Sequence, residues 1–320
     1  MKKRTAALLL ALCASLAPAW AGDYPDRPVK MLVGFGAGGI TDITARQVAE
    51  EMGQVLGQAV VVENRTGAGG NIASAELARA QPDGYTVMLA SPGQLVVNPL
   101  TQKSLGFDPK TRFTLLSMVN RSPFVFVVPA NSRFRSVQEL VAWGKQNDGA
   151  LTFASPGLGT TMHIAGEMLQ VAAGVKAVHV PYRGGAQSTS DLVAGRVDFM
   201  IDSLGAVNAQ VKAGQLKVLA VASDRTLPEF PDAPLLSSIY PGLEVSSWLG
   251  VVGPPDMRPE AKQALVKAVE HAARAPRFVQ TVEARGSETA PLGPDAFASH
   301  LARERERVER TVVKTGLRLD

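Results

Sequence analysis

The chain has 320 residues, 46% hydrophobic and 19% charged, with a formal net charge of +4 and a single cysteine, Cys13. One cysteine excludes any intramolecular disulfide framework. Lysine and arginine are spread along the chain with no basic stripe interleaved with aromatics, so nucleic acid is not an expected partner.

The chain opens on Lys2, Lys3 and Arg4, continues through an apolar run over 6–17, and reaches Ala19-Trp20-Ala21. A basic start, an apolar middle and a small-x-small end predict a signal peptide over 1–21 and a periplasmic mature protein. The run is too short to cross a bilayer, which takes about 20 residues. A lipoprotein reading would lipidate Cys13, but Leu12 stands where that processing wants a small side chain, so Cys13 is read as discarded with the peptide. The mature chain then has no cysteine, which excludes thiolate catalysis and Cys-ligated zinc. The three cations of this segment carry most of the net charge, leaving +1 on the rest. The remaining length exceeds one typical domain and fits two lobes.

Short β-branched apolar runs stand at 29–35, 59–63, 86–90, 124–128, 151–154, 177–180, 197–201 and 218–222. Their length and flanking turns predict buried strands of parallel sheets. Helical patterns lie between them at 41–56, 73–80, 137–145 and 162–172. Such alternation predicts an α/β fold, each lobe a doubly wound, mostly parallel sheet that receives ligands at the carboxyl ends of its strands. A strand, a glycine-rich loop and a helix opened by Thr occur at 33–44 and again at 153–164, as two similar lobes would require. The stretch 259–314 reads as two charged amphipathic helices, 260–273 and 294–315, broken near Pro276 and Gly286. Its charge run, Arg303-Glu304-Arg305-Glu306-Arg307, reads as a solvated face.

Two loops carry the functional reading. In the first, Phe35, Gly36, Ala37, Gly38, Gly39 and Ile40 join a strand to a helix that Thr41 or Asp42 would cap. Glycines let a ligand approach the backbone, and first-turn N–H groups attract an anion. The second loop repeats the design with hydroxyls: Ser155, Gly157, Gly159, Thr160 and Thr161, followed by His163. Turn and cap duty would equally explain the hydroxyls. His163 is either a ligand donor or a residue satisfied by its own loop, His179 reads as a packed strand histidine, and Asp202 is either a ligand contact at a strand end or a helix cap. The first loop also matches Gly34-x-Gly36-x-x-Gly39 with Glu63 closing the next strand, a dinucleotide fingerprint. An exported chain has little access to nicotinamide cofactors, and no cofactor is expected. Nucleophile elbow, Walker loop and paired metal-ligand histidine motifs are absent from the sequence, so neither a metal site nor an enzyme is expected.

From Tyr24 onward the chain resembles the extracytoplasmic receptors of tripartite tricarboxylate transporters, the Bug family. The matching blocks are Tyr24-Pro25-Asp26-Arg27-Pro28-Val29-Lys30, Val61-Val62-Glu63-Asn64-Arg65-Thr66-Gly67-Ala68-Gly69-Gly70-Asn71-Ile72, Pro82-Asp83-Gly84-Tyr85-Thr86, Val178-His179-Val180-Pro181-Tyr182-Arg183-Gly184 and Asp202-Ser203. The resemblance implies a two-lobed Venus-flytrap fold with crossovers near 122–127 and 246–253. Lobe one would hold 22–123 and 250–320, and lobe two 124–249. It implies binding of a small carboxylate, such as a di- or tricarboxylate, amino acid or aromatic acid, and delivery by a monomer to membrane permease subunits. The carboxylate loops map onto 35–42 and 155–163, with further contacts from Ser91, Gly93 and Asp202. The first loop departs from the family's proline-and-glycine pattern: Gly34 and Gly36-Ala37 replace prolines, and Ile40 replaces a glycine. The rival readings are a sensor engaging a signalling receptor, and an exported α/β enzyme.

Overall fold

The computed structural model describes residues 24–108, 112–182 and 184–316; the expected signal peptide with Cys13, and Arg183, lie outside the described residues. The first alternation runs β1 (Val29–Val33), α1 (Ile40–Leu56), β2 (Val60–Asn64), α2 (Asn71–Ala78) and β3 (Thr86–Ala90). A π-helical turn (Gly93–Val97) and α3 (Asn98–Thr101) then lead to the long strand β4 (Thr114–Pro129). A second alternation follows: α4 (Val137–Gln146), β5 (Thr152–Ser155), α5 (Thr161–Ala173), β6 (Val178–Pro181), α6 (Gly185–Val193), β7 (Met200–Ser203), α7 (Leu204–Lys212), β8 (Leu216–Val221) and α8 (Leu236–Ile239). The chain closes with β9 (Ser246–Gly253), α9 (Pro259–Arg274), α10 (Pro276–Ala284), β10 (Glu288–Leu292) and α11 (Pro294–Thr315).

All eight expected strands are present. The first lobe orders them β2-β1-β3-β9-β4-β10, with β1 parallel to β2 and β3 and with β9 antiparallel to both β3 and β4. In the second lobe β5 pairs parallel with β6 and bridges to β7 at Phe153 and Phe199, while β7 and β8 flank β4 antiparallel to it. β4 serves both lobes. Its partner is β9 as far as Pro123 and becomes β7 and β8 from Phe124 onward.

Register fixes which strand ends meet. β4 runs out of lobe one at Pro123, so β3, reached through two antiparallel steps, points the same way, and β1 and β2 follow it. Inside lobe two β4 runs away from the boundary, so β7 points back toward it, and β5 and β6 with it. The carboxyl ends of β1, β2 and β3 from lobe one, and of β5, β6, β7 and β8 from lobe two, therefore face the boundary.

The period-2 alternation of β4 feeds two cores. Phe124, Phe126 and Val128 enter a cluster that spans both lobes, reaching Leu32, Met88 and Leu77 on one side and Phe153, Leu169 and Phe199 on the other. Phe126 stacks on Phe199 at 4.9 Å. Val125 and Val127 point the opposite way, to Met200, Leu204 and Val207. A third cluster packs Met31 and Val33 against α1 and α9 through Val48, Met52, Leu265 and Val269.

Three expectations are corrected. α1 starts at Ile40 with Gly39 as its N-cap and no side-chain cap bond, so Thr41 and Asp42 lie inside the helix. Pro276 opens a helix of its own, because a proline at the first position gives up an N–H that has no partner anyway. The charge run is not uniformly solvated. Glu304 is 7% exposed and accepts a 2.5 Å hydrogen bond from Trp248 Nε1, because α11 brings Phe297, Leu301, Val308 and Val312 onto the same core-facing stripe.

Candidate functional site

At the boundary β1, β2, β3, β5 and β6 are each followed by a turn and then a helical segment, and β7 runs directly into α7; the first N–H groups of such segments are left over by helix geometry. In the first loop Gly36 to Ile40 are exposed. Phe35 is half-buried on the lobe-one core and its carbonyl accepts Asn64 Nδ2 at 2.9 Å. Asp42, 2% exposed, accepts from Gly38 N–H at 2.9 Å, from Arg46 Nε at 3.0 Å and Nη2 at 2.9 Å, and from Asn64 Nδ2 at 2.9 Å. The Arg46 guanidinium, ahead of Gly38 N–H and Asn64, holds its pKa down to about 2. Asp42 thus shapes the loop and uses the Gly38 amide to do so. Gly39 N–H approaches Gly36 O at 3.4 Å, and Thr41 is buried. The amides of Ile40 and Thr41, first in the helix, have no internal acceptor.

The loops after β2 and β3 brace the first. A Cβ on Gly34 would lie 2.8 Å from Gly70 Cα and 2.9 Å from Gln94 Nε2, so glycine there permits the approach of two backbones. Gln94 is buried and accepts Ser91 N–H at 3.2 Å while donating to Gly70 O at 3.3 Å. Gly93 faces the other lobe: a Cβ there would stand 3.9 Å from Gly159 O. Elements from the two lobes thus meet at the expected strand ends.

The second loop is held from beneath. Gly159 N–H donates to His163 Nδ1 at 3.2 Å, and Thr160, the N-cap of α5, accepts from His163 N–H and donates to Gly157 O at 2.8 Å. Ser155, fully buried, shares a 2.7 Å hydrogen bond with His179 Nε2 and exchanges two more with the Gly157 backbone. The two imidazoles stack at 4.0 Å, and Phe153 stacks on His179 at 4.8 Å. Burial first, and then the neighbouring His163, push the His179 pKa down to about 3, so it is neutral at pH 7. Leu158 at the tip is exposed and Thr161 half-buried. At the end of β7, Asp202 is fully buried: Oδ1 accepts Ser203 N–H at 2.6 Å, and Oδ2 has no partner among the described residues. Burial pushes its pKa up to about 7.

Of the sequence-predicted residues, those of the first loop with Ser91 and Gly93, and those of the second loop with Asp202, gather at the boundary from opposite sides. Arg46, Asn64, Gln94 and His179 hold these loops in place. Only the Asp42–Arg46 spacing was a sequence signal for that role, being an i,i+4 ion pair. Glu63, the ribose-binding acid of the dinucleotide reading, is engaged with Arg65 at 2.5 Å and Lys30 at 3.4 Å.

Residues 44–317 match the family model described as "Tripartite tricarboxylate transporter family receptor". The chain belongs to this family. A UPF0065 protein from the tcbD-tcbE intergenic region of Pseudomonas sp. (strain P51) is 37% identical, over 92% of this chain and 88% of its own. Among solved structures, the periplasmic binding protein BugD is 33% identical with a TM-score of 0.78, over 92% of this chain and 99% of its own. An R. palustris protein solved with adipate is 31% identical with a TM-score of 0.81, at the same coverage. The family is one of solute-binding receptors, and the two-lobed α/β fold is shared with these structures. No helix among the described residues is long and apolar enough to cross a membrane.

Proposed function

We propose that the chain is a periplasmic receptor that binds a small carboxylate between its lobes and delivers it, as a monomer, to permease subunits of a tripartite transporter. The observation that carries this is the convergence of strand ends, with the helix starts that follow them, on one boundary. A carboxylate at a helix N-terminus gains roughly 0.3–1 kcal/mol from the dipole, and more where partly buried. Lobe one is assigned 22–123 and 250–320 and lobe two 124–249. The ligand site is assigned to Phe35, Ala37, Gly38, Gly39, Thr41, Asp42, Ser91, Gly93, Ser155, Gly157, Gly159, Thr160, Thr161, His163 and Asp202, each in contact with the ligand or holding the loops that are. Calorimetry against di- and tricarboxylates, amino acids and aromatic acids should give saturable binding of at least one class. No heat from any acid overturns the reading.

A hydrolase is the second reading, because Ser155 and His179 form a serine–histidine pair. The pair serves a loop anchor better. Ser155 is buried and bonded to its own loop, and among the described residues no carboxylate is bonded to His179 to orient it. The expected result is no burst with activated esters; a stoichiometric burst lost in Ser155→Ala would favour the hydrolase.

A further inference from the structure

The polar side chains at the boundary are largely engaged with one another. Asp42 is held by Arg46, Asn64 and Gly38; Ser155 by His179 and Gly157; Thr160 by Gly157 and His163; His163 by Gly159; Gln94 by Ser91 and Gly70. Three described arginines near the strand ends are ion-paired as well. Arg65 meets Glu63 and Glu76, Arg121 meets Asp224 at 3.0 Å and also Glu288, and Arg225 meets Glu288. Backbone N–H groups remain for an anion, and the most exposed side chains on the two loops are apolar. Ile40 begins α1 and is 56% exposed; Leu158 tips the second loop and is 62% exposed. Neither has a role in the core, so each holds apolar surface in water in the free protein.

We infer that the ligand is a carboxylate with an unsubstituted hydrocarbon body, aliphatic or aromatic, and that Ile40 and Leu158 select it by covering that body when the lobes close. This rests on the receptor reading above. Among the described residues most side-chain donors and acceptors at the boundary are already paired, so a hydroxyl or amino substituent would find few partners to offset its lost hydration. Asp202 Oδ2 is an acceptor with no partner among the described residues, and it is fully buried.

The test is calorimetry of the mature chain with matched acids: hexanoate against 6-hydroxyhexanoate and 6-aminohexanoate, benzoate against 4-hydroxybenzoate, and succinate against malate. The unsubstituted member of a pair should bind about 10-fold tighter or more. Ile40→Ser and Leu158→Ser should each erase most of that preference without changing the melting temperature, since both side chains are exposed. A hydroxylated or aminated acid binding equally or better overturns the inference and leaves the receptor intact, as does a preference unchanged in both variants. No binding of any acid overturns the receptor reading and this one with it.

Discussion

A carboxylate as enclosed as that of Asp42 stays ionised because three neighbours donate to it, and the pH dependence follows from the sign of that effect. Its folded pKa of about 2 lies below the ordinary carboxylate value, so it adds stability above about pH 4 that is lost as the pH falls toward 2. Asp42→Asn should cost about 1–3 kcal/mol at pH 7, the range for a charge-assisted bond, and reduce the acid sensitivity of unfolding. Denaturant titrations at pH 7 and pH 3 measure both. An equal loss at the two pH values would mean that the carboxylate charge is not what matters. At Gly34, where two backbones meet, Gly34→Ala should force the first loop away from Gly70 and weaken ligand binding more than stability. Paired calorimetry and melting curves read that difference.

At the scale of elements, α5 lies close enough to β5 that Gly166 has no room for a side chain: a Cβ would meet Phe153 Cε2 at 2.1 Å. Gly166→Ala should cost about 1–3 kcal/mol by overpacking, and Phe153→Leu should partly restore it. α11 carries the opposite pH signature to Asp42. Burial, its largest cause, pushes Glu304 up to about 7, so the folded state holds its proton more tightly than the unfolded chain. Stability from this group is greatest below about pH 4.5 and falls as the pH rises toward 7. Glu304→Gln keeps an acceptor for Trp248 and should raise the melting temperature at pH 8 relative to the parent chain, with little effect at pH 4.5.

The same elements show what the sequence made legible. β3 after Thr86 and the second half of β4 are continuous apolar runs, and β1 is broken only by Lys30, because strands covered on both faces need few polar residues. The first half of β4 escaped notice because Ser117, Asn120 and Arg121 interrupt it; Ser117 donates to the Leu292 carbonyl of β10, and Arg121 pairs with Glu288. The role of Glu304 was hidden by its charged neighbours, although the spacing of Phe297, Leu301, Glu304 and Val308 places it on the apolar stripe. Glycines and hydroxyls marked the two loops that the structure brings to the lobe boundary. Which amides each loop uses on itself depends on Asp42, His163 and His179 meeting backbone groups in space, and residue spacing does not encode that.

For the whole molecule, the core cluster that runs from Leu32 and Met88 through Phe124 and Phe126 to Phe199 makes the two lobes one cooperative unit. Thermal unfolding should show a single transition, shifted upward by ligand. A ligand at 100 times its Kd adds about 2.7 kcal/mol. Small-angle scattering should show a smaller radius of gyration when the site fills. Two separable transitions by calorimetry would contradict a shared core.

The place of β9 in the sheet bears on how the protein is made. It sits between β3 and β4, yet it is synthesised more than a hundred residues after either begins. Until it emerges, β3 and β4 each present an open edge at the centre of their sheet, and the first lobe has no finished fold to adopt. Such long-range closure is slow. A ribosome-bound chain truncated before Ser246 should therefore remain protease-sensitive throughout, lobe one included.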